Sequence, residues 1–386
     1  MKILGKYQNL IGISLFCLLL SGALLLSCKK EYGGDAIFIT GTETNPVAYL
    51  SAEDGIISKI AMSVTSSALL DRDVTVQVNT TPERIADYNK TYSKNYQPVP
   101  EGDYELSTNQ ILLKAGSNVS EAIEFRIKSI KDFKDGVSYM MAVTISNATE
   151  GANILQSSKT IYYVVKPVTI QQVPDLGANS NGFQCDFTTN NTKLKAMKAI
   201  TMETRVLVHA FQQRNPYISN LMGIEEHFLL RFGNVGFPPD QLQRSGMPGG
   251  VHVYTSFATN KWYHVAITYD GATQKIYFDG KLVSSNAASI SIDLTNNYLG
   301  GFGIGYIPKD PRYLNGMVSE ARVWDRALTQ NEIVDGMCSV SPASPGLVAY
   351  WKFNDAKDKV VTDLSGNGHH ATAQNEIKWV PNVRCE

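Results

Sequence analysis

Between residues 36 and 167 the chain runs through short segments in which apolar and polar side chains alternate: Ile56 to Val64, Asp73 to Val78, Gln110 to Lys114, Ala122 to Ile127, Tyr139 to Ile145 and Thr160 to Val165. In Val74-Thr75-Val76-Gln77-Val78 the valines occupy every second position. That period predicts strands buried on one face and wet on the other. One stretch departs from it: Thr81-Pro82-Glu83-Arg84-Ile85-Ala86-Asp87-Tyr88-Asn89 places threonine as N-cap, proline at the first helical position and an acid behind it, which predicts a short helix. The stretch from Lys166-Pro167 to Pro174 marks a boundary, because proline cannot donate to a ladder. Beyond it, Trp262 to Gly271 and Lys275 to Val283 read as strand, turn, strand, Asp279-Gly280 turn and strand. Leu314 to Asp325 supplies a further strand, and Thr329 with Glu332 three residues on spells a capping box. Ahead of all this, Lys2 and Lys6 precede an apolar run from Leu10 to Leu26, the pattern of a cleaved secretion signal.

Removing residues 1–27 takes away two lysines and no acid, so 35 basic side chains fall to 33 against 36 acidic ones, a net charge of −3. That balance argues against nucleic acid or an anionic membrane surface as partner, since both require clustered positive charge. The remaining length exceeds one ordinary domain and suits two. Abundant aromatics and glycines with few long helical periodicities predict an all-β protein. Among the cysteines, Cys185 shares a strand face with Phe183 and Phe187 and reads as a buried free thiol. Cys338 and Cys385 are expected to pair and tie down the C-terminal strand, in a compartment where disulfides persist.

The segment Leu25-Leu26-Ser27-Cys28 resembles the bacterial lipoprotein lipobox, with Leu26 bulkier than is usual at its position. The resemblance implies that Cys28 becomes the acylated first residue, that residues 28–35 form a polar spacer, and that the protein is lipid-anchored at the cell surface, in the outer membrane. Residues 36–167 resemble the DUF1735 domain of Bacteroidetes surface lipoproteins, through the Asp73 to Val76 strand, the helix ending in Tyr88-Asn89, Tyr104-Glu105-Leu106, Ile111 to Gly116 and Tyr139 to Val143. Such domains often stand ahead of a catalytic or binding module in glycan-utilisation systems, so the resemblance implies a β-sandwich spacer with one short helix. Residues 168–386 resemble the laminin-G-like, concanavalin A-type jelly roll, through Trp262 to Val283, Leu314 to Thr329, Gly346 to Asn354 and Asp363 to His370. In many relatives that last block opens the domain, whereas here it closes it. A permuted order gives the same sandwich because the terminal strands of a jelly roll are neighbours. The fold implied is a scaffold for carbohydrate or protein binding and less often for glycoside hydrolysis.

Retaining glycosidases on this scaffold need two carboxylates about 5 Å apart, commonly from one strand. No Glu-x-Asp-x-x-Glu run occurs. Glu203 and Glu320 each stand without a second acid at strand spacing and read as structural; adjacent Glu225 and Glu226 should point to opposite faces. No histidine pair has zinc spacing, and Gly300 to Gly305 is a bend between strands. In Asp363-Leu364-Ser365-Gly366-Asn367-Gly368-His369, oxygen side chains at Asp363, Ser365 and Asn367 suit a structural calcium ion; an Asx-type turn satisfying backbone amides explains the same residues. Sugar binding needs an aromatic face with amides and charged groups around it. Three proline-containing segments, 211–217, 237–244 and 306–313, offer Arg214, Tyr217, Phe237, Tyr306, Asp310 and Tyr313, with Phe237 and Tyr306 equally suited to plugging the core. The expectation is a non-catalytic glycan-binding lipoprotein, with a glycoprotein glycan as ligand and an outer-membrane transporter and its surface lipoprotein as partners. A hydrolase drawing on Glu203, Asp310 or Glu320, and a protein-binding adhesin or structural envelope component, are the competing readings.

Overall fold

The computed structural model describes residues 36–149, 152–187, 192–246, 250–309, 312–354 and 359–385. The lipobox with Cys28, the spacer and Asp310 lie outside these residues. In the N-terminal unit one sheet runs in the order Val47–Ala52, Thr160–Pro167, Tyr139–Ala148, Val74–Thr80, Gln110–Leu113, with Gln97–Pro98 paired to Tyr139–Ala148. Facing it are the Ser58–Met62, Ile123–Ile127, Tyr104–Leu106 sheet and a small sheet of Asn153–Ile154, Ala36–Ile39 and Val64–Ser66. The alternation read from the sequence is met: Val74, Val76 and Val78 are buried, and Thr75 and Gln77 are exposed. Phe125 of one layer stacks on Tyr163 of the other with ring centres 4.9 Å apart.

The predicted helix forms later than expected, at Arg84–Tyr92. The N-cap position falls on Glu83, whose side chain caps nothing. Thr81 instead pairs its hydroxyl with that of Thr144 at 2.7 Å, and its carbonyl accepts from Arg84 N at 3.1 Å. A tertiary hydroxyl pair has displaced the local cap. The helix then lays Ile85 and Tyr88 on Met140, Val164 and Tyr162, covering the outer face of the sheet.

The C-terminal unit is two packed sheets. The back sheet runs Lys281–Ala287, Thr273–Phe278, Trp262–Tyr269, Ile200–Ala210, Asn315–Trp324, Thr169–Asp175, Lys378–Cys385, with Leu347–Trp351 also paired to Asn315–Trp324. The front sheet runs Val251–Ser256, Phe237–Ser245, Phe228–Asn234, Ser219–Ile224, Phe302–Ile304, Phe183–Cys185, Ala371–Ala373, Val360–Val361. Between them lies one core that includes Phe183, Cys185, Met202, Phe232, Ile267, Val323 and Trp351. Cys185 is a buried free thiol within it, and burial raises its pKa. The first and last strands pair with each other, as a permuted jelly roll requires. Outside the back sheet sits the Gln330–Gly336 helix, opened by the expected capping box: Thr329 accepts from Glu332 N, and Glu332 accepts from Thr329 N at 2.8 Å.

Among the described residues no sheet mixes strands from before and after Val168. Lys94–Asp335, Lys352–Asp135 and Arg384–Glu53 nonetheless join the two units at 2.8, 2.7 and 2.8 Å. Gly136 is what lets the two units meet: at φ +70, a Cβ there would lie 1.9 Å from Ser341 N.

Cys338 and Cys385 form a disulfide with Cα atoms 5.5 Å apart, linking the segment after the Gln330–Gly336 helix to the last strand. The bridge closes a loop across 47 residues, for which chain entropy alone is worth about 4 kcal/mol. Replacing both cysteines with serine is expected to lower the urea midpoint of the C-terminal unit correspondingly, with Cys185 becoming alkylatable only at that midpoint.

Candidate functional site

Along Phe228–Asn234 the side chains of Phe228, Leu230 and Phe232 enter the core, so Arg231 and Gly233 face outward. On the neighbouring Phe237–Ser245 strand Leu242 points in and Gln243 points out. This outer face of the front sheet floors a cleft of about 620 Å³ lined by Pro216, Ile218, Glu225, Glu226, Arg231, Asn234, Ser245, Gly246, Leu299 and Arg312. At its base Glu225 is locked by two guanidinium groups: Arg231 Nη1 meets Oε1 at 3.0 Å and Arg312 Nη2 meets Oε2 at 3.0 Å. With Glu225 and Arg231 only 7% and 10% exposed, this is a fixed polar platform. Glu226, the next residue, is exposed toward solvent. Its charge is the main reason the nearby Tyr298 phenol is raised above its ordinary pKa.

Three non-glycine residues around this cleft hold left-handed backbone: Tyr217 at φ +64, Glu226 at +59 and Leu299 at +48. Each costs of the order of 1 kcal/mol or more, and such strain collects where geometry serves binding or catalysis. Gly233 makes the closure possible, because the space of a side chain there is occupied by Tyr217 O at 2.0 Å and Pro239 Cα at 2.9 Å. The loop bearing Tyr217 therefore lies directly on the sheet. Tyr217 and Tyr298 remain 38% and 42% exposed, and along the chain each adjoins residues that line the cleft, Pro216 and Ile218 for the first and Leu299 for the second.

The structure brings some of the sequence-predicted residues to this face and not others. Tyr217 borders the cleft beside Pro216, and Arg214 is exposed on the same loop, its carbonyl accepting from Tyr217 N at 2.6 Å. Phe237 opens the neighbouring strand, 38% exposed, its ring 4.1 Å from that of His252. Tyr306 is corrected: it is buried, packs over Gly182 and stacks on Tyr313 with ring centres 5.7 Å apart, plugging the end of the core. Tyr313 is half-buried and donates its hydroxyl to Gln374 Oε1 at 2.9 Å. Asp310 lies outside the described residues. Sequence reasoning set Glu225 aside as one of two adjacent acids, included Arg312 only as part of the 306–313 segment, and did not single out Arg231 or Tyr298. Arg231 stands at a period-two outward position inside an apolar strand, the one local signal that could have exposed it.

Glu203 and Glu320 lie on the other side of the sandwich, sealed between the back sheet and the Gln330–Gly336 helix, 1% and 0% exposed. Arg322 Nη1 donates to Glu203 Oε1 at 3.1 Å and to Gly336 O at 2.7 Å. Trp324 Nε1 also donates to Glu203 Oε1, at 2.9 Å, and His264 Nε2 stands 3.2 Å from Oε2. Burial opposes charge on Glu203, yet Arg322 and these donors hold its pKa below the ordinary value. Glu320 accepts from Tyr350 Oη at 2.7 Å and lies 3.5 Å from Arg322 Nη2. For this group burial outweighs the pull of Arg322, and its pKa is pushed up to about 7. Neither carboxyl can meet a substrate; both fasten the helix to the sheet.

In the 363–369 loop, Asp363 Oδ1 accepts from Tyr350 N at 2.9 Å and Ser365 N at 2.9 Å, and Oδ2 accepts from His369 N at 3.0 Å. Asn367 Nδ2 donates to Val348 O at 2.9 Å, and Ser365 Oγ donates to the same carbonyl at 3.0 Å. These are the bonds of an Asx-type turn that pins the loop to Leu347–Trp351. No group of three or more His, Cys, Asp or Glu side chains that could hold a metal ion occurs among the described residues.

Two outcomes follow from these geometries. Because Glu320 titrates near 7 when folded but near 4.3 when unfolded, the folded state holds its proton over that interval and stability falls as pH rises through it. Unfolding free energy is expected to drop by about 1–3 kcal/mol between pH 5 and pH 8, and Glu320→Gln should flatten that slope in urea titrations. In the 363–369 loop, three backbone N–H groups already satisfy Asp363 without an ion. Dialysis against EDTA is accordingly expected to leave the melting temperature unchanged, as scanning calorimetry can verify.

Residues 181–334 match the profile of the concanavalin A-like lectin/glucanases superfamily, and residues 32–151 match that of an N-terminal domain family. No curated protein matches the chain significantly. Among solved structures, a protein from Bacteroides ovatus ATCC 8483 designated a candidate carbohydrate-binding protein is 24% identical, with 91% of this chain covering 99% of that one at a TM-score of 0.58. The Bacteroides thetaiotamicron EndoBT-3987, solved with Man5GlcNAc product, is 13% identical over 42% of this chain and 34% of that one, at 0.29. A two-domain protein from Bacteroides fragilis NCTC 9343 is 12% identical over 75% and 94%, at 0.32. These last two are too distant to carry an argument. The C-terminal unit of this chain is thus a concanavalin A-like jelly-roll domain, set behind a separate N-terminal β unit.

Proposed function

We propose that this protein is a lipid-anchored, cell-surface glycan-binding component of a glycan-utilisation system, and that it holds its ligand without cleaving it. The observation that carries the reading is the front-sheet cleft, with its fixed Arg231–Glu225–Arg312 floor and the exposed Tyr217 and Tyr298 next in the chain to residues that line it. A pyranose ring offers one apolar face to an aromatic ring and a rim of hydroxyls to charged and amide groups, and this cleft supplies both. The similarity to a candidate carbohydrate-binding protein of Bacteroides ovatus points in the same direction.

Non-catalytic binding is favoured by the chemistry of the acids. Glu203 and Glu320 are sealed in the back-sheet network, and Glu225 has both oxygens tied to arginine. Of the described glutamates lining the cleft, Glu226 alone is exposed, and hydrolysis calls for two cooperating carboxyls. Anchorage through Cys28 would hold the cleft at the surface, with an outer-membrane transporter and its surface lipoprotein as natural partners and a glycoprotein glycan as ligand.

The test is a glycan array with the protein from Lys29 onward, followed by mass spectrometry of the retained glycan. Intact glycan is the expected result, and Tyr217→Ala should weaken its binding roughly tenfold through loss of one stacking face. A shortened product would make the protein a hydrolase, with Glu226 as the acid to substitute. Retention of no glycan would favour an adhesin or a structural role.

A further inference from the structure

The front sheet ends at Val251–Ser256, which has a neighbour in that sheet on one side only. Exposed edge strands are ordinarily blunted with charge or proline. This one reads Val-His-Val-Tyr-Thr-Ser and has neither. Val253 points into the core, so His252 and Tyr254 stand on the outer face, the same face as the cleft. Tyr254 is 80% exposed, the highest value among the exposed large apolar and aromatic side chains of the described residues. Its ring centre lies 4.6 Å from that of His252, which lies 4.1 Å from that of Phe237. The three rings form a continuous strip across two strands.

His252 adds a second observation. Both its ring nitrogens are shut off from solvent and lack a hydrogen-bond partner among the described residues, and burial lowers its pKa. The imidazole therefore acts as a neutral aromatic spacer that props the outer rings apart. Gln241, next to the strip, donates Nε2 to Tyr254 O at 3.4 Å and keeps Oε1 without a partner. The strip adjoins the cleft: Phe237 is the ladder partner of Asn234, which lines the cleft.

We propose that the glycan seated in the cleft runs on across the Phe237–His252–Tyr254 strip, so that the ligand class is an extended oligosaccharide of several units and not a terminal monosaccharide. This rests on the glycan-binding reading above. Uncharged aromatic faces stack on the apolar side of successive sugar rings, and the rings of Phe237 and Tyr254 are the exposed ones on this strip.

The probe is the array glycan that the protein from Lys29 onward retains most strongly, cut by partial acid hydrolysis into a fluorescently labelled ladder of two to eight sugar units, with affinities read by polarisation. Affinity is expected to rise with length and then level off. Tyr254→Ala should remove the gain from the longer members, roughly three- to tenfold, while leaving the shortest binder unchanged; Tyr254→Phe should restore it. Tyr217→Ala should weaken every length. If the wild-type protein retains no glycan, the binding reading fails and this inference with it. If it binds but affinity is independent of length, or Tyr254→Ala changes nothing, the extended-ligand proposal alone is overturned. A concentration-dependent dimer in light scattering that Tyr254→Ala abolishes would likewise overturn it, by assigning the strip to a second copy of the chain.

Discussion

The guanidinium of Arg322 is the interaction on which the C-terminal unit most depends. It is fully buried, and a charge without water costs several kcal/mol unless it is paired and hydrogen-bonded. Here it meets Glu203 and Glu320 and donates to the carbonyls of Gly336 and Met337, which the end of a helix leaves without partners. One side chain thus pairs with two buried acids and caps the helix that covers them. Pairing Glu320 at pKa about 7 with a Glu203 whose charge is held by Arg322, His264 and Trp324 keeps the network near neutrality.

That network decides which face of the sandwich is left for a ligand. The back sheet is closed by the Gln330–Gly336 helix over Ala266, Tyr277, Trp324 and Tyr350. The front sheet carries its polar groups outward, and its loops fold onto it, at the cost of left-handed backbone at Tyr217, Glu226 and Leu299. A close-packed sandwich resists deformation, so it can hold such loops in strained positions that an isolated segment would abandon.

The two units meet through the same region. Lys352 follows Trp351 of the core directly and reaches Asp135 of the N-terminal unit, while Asp335 of the covering helix pairs with Lys94. Backbone approach at Gly136 and a cavity of about 310 Å³ lie beside these contacts. The Thr160–Pro167 and Thr169–Asp175 strands are separated by Val168 alone, so little chain is available for the units to swing apart. The N-terminal unit thus contacts the Gln330–Gly336 helix, Lys352 next to Leu347–Trp351, and the Lys378–Cys385 strand of the back sheet.

Period-two alternation made the strands legible from the sequence, since a half-buried strand must place its apolar side chains on one face whatever its partners are. The capping box at Thr329 and the buried setting of Cys185 were local in the same sense and could be read directly. The cleft was not legible, because Glu225, Arg231, Tyr298 and Arg312 come from four separate parts of the chain and converge only when strands and loops have taken their register. For the same reason Tyr306, in a proline-containing aromatic loop like that of Tyr217, went to the core: whether a ring faces water depends on what lies across from it, here Gly182 and Tyr313. Thr81 shows the limit even for a local signal, as a hydroxyl partner 63 residues away outcompeted the cap. What the amino-acid order determined by itself was which positions turn inward; what touches what on the outside was decided by tertiary packing, because those contacts join residues that no spacing relates.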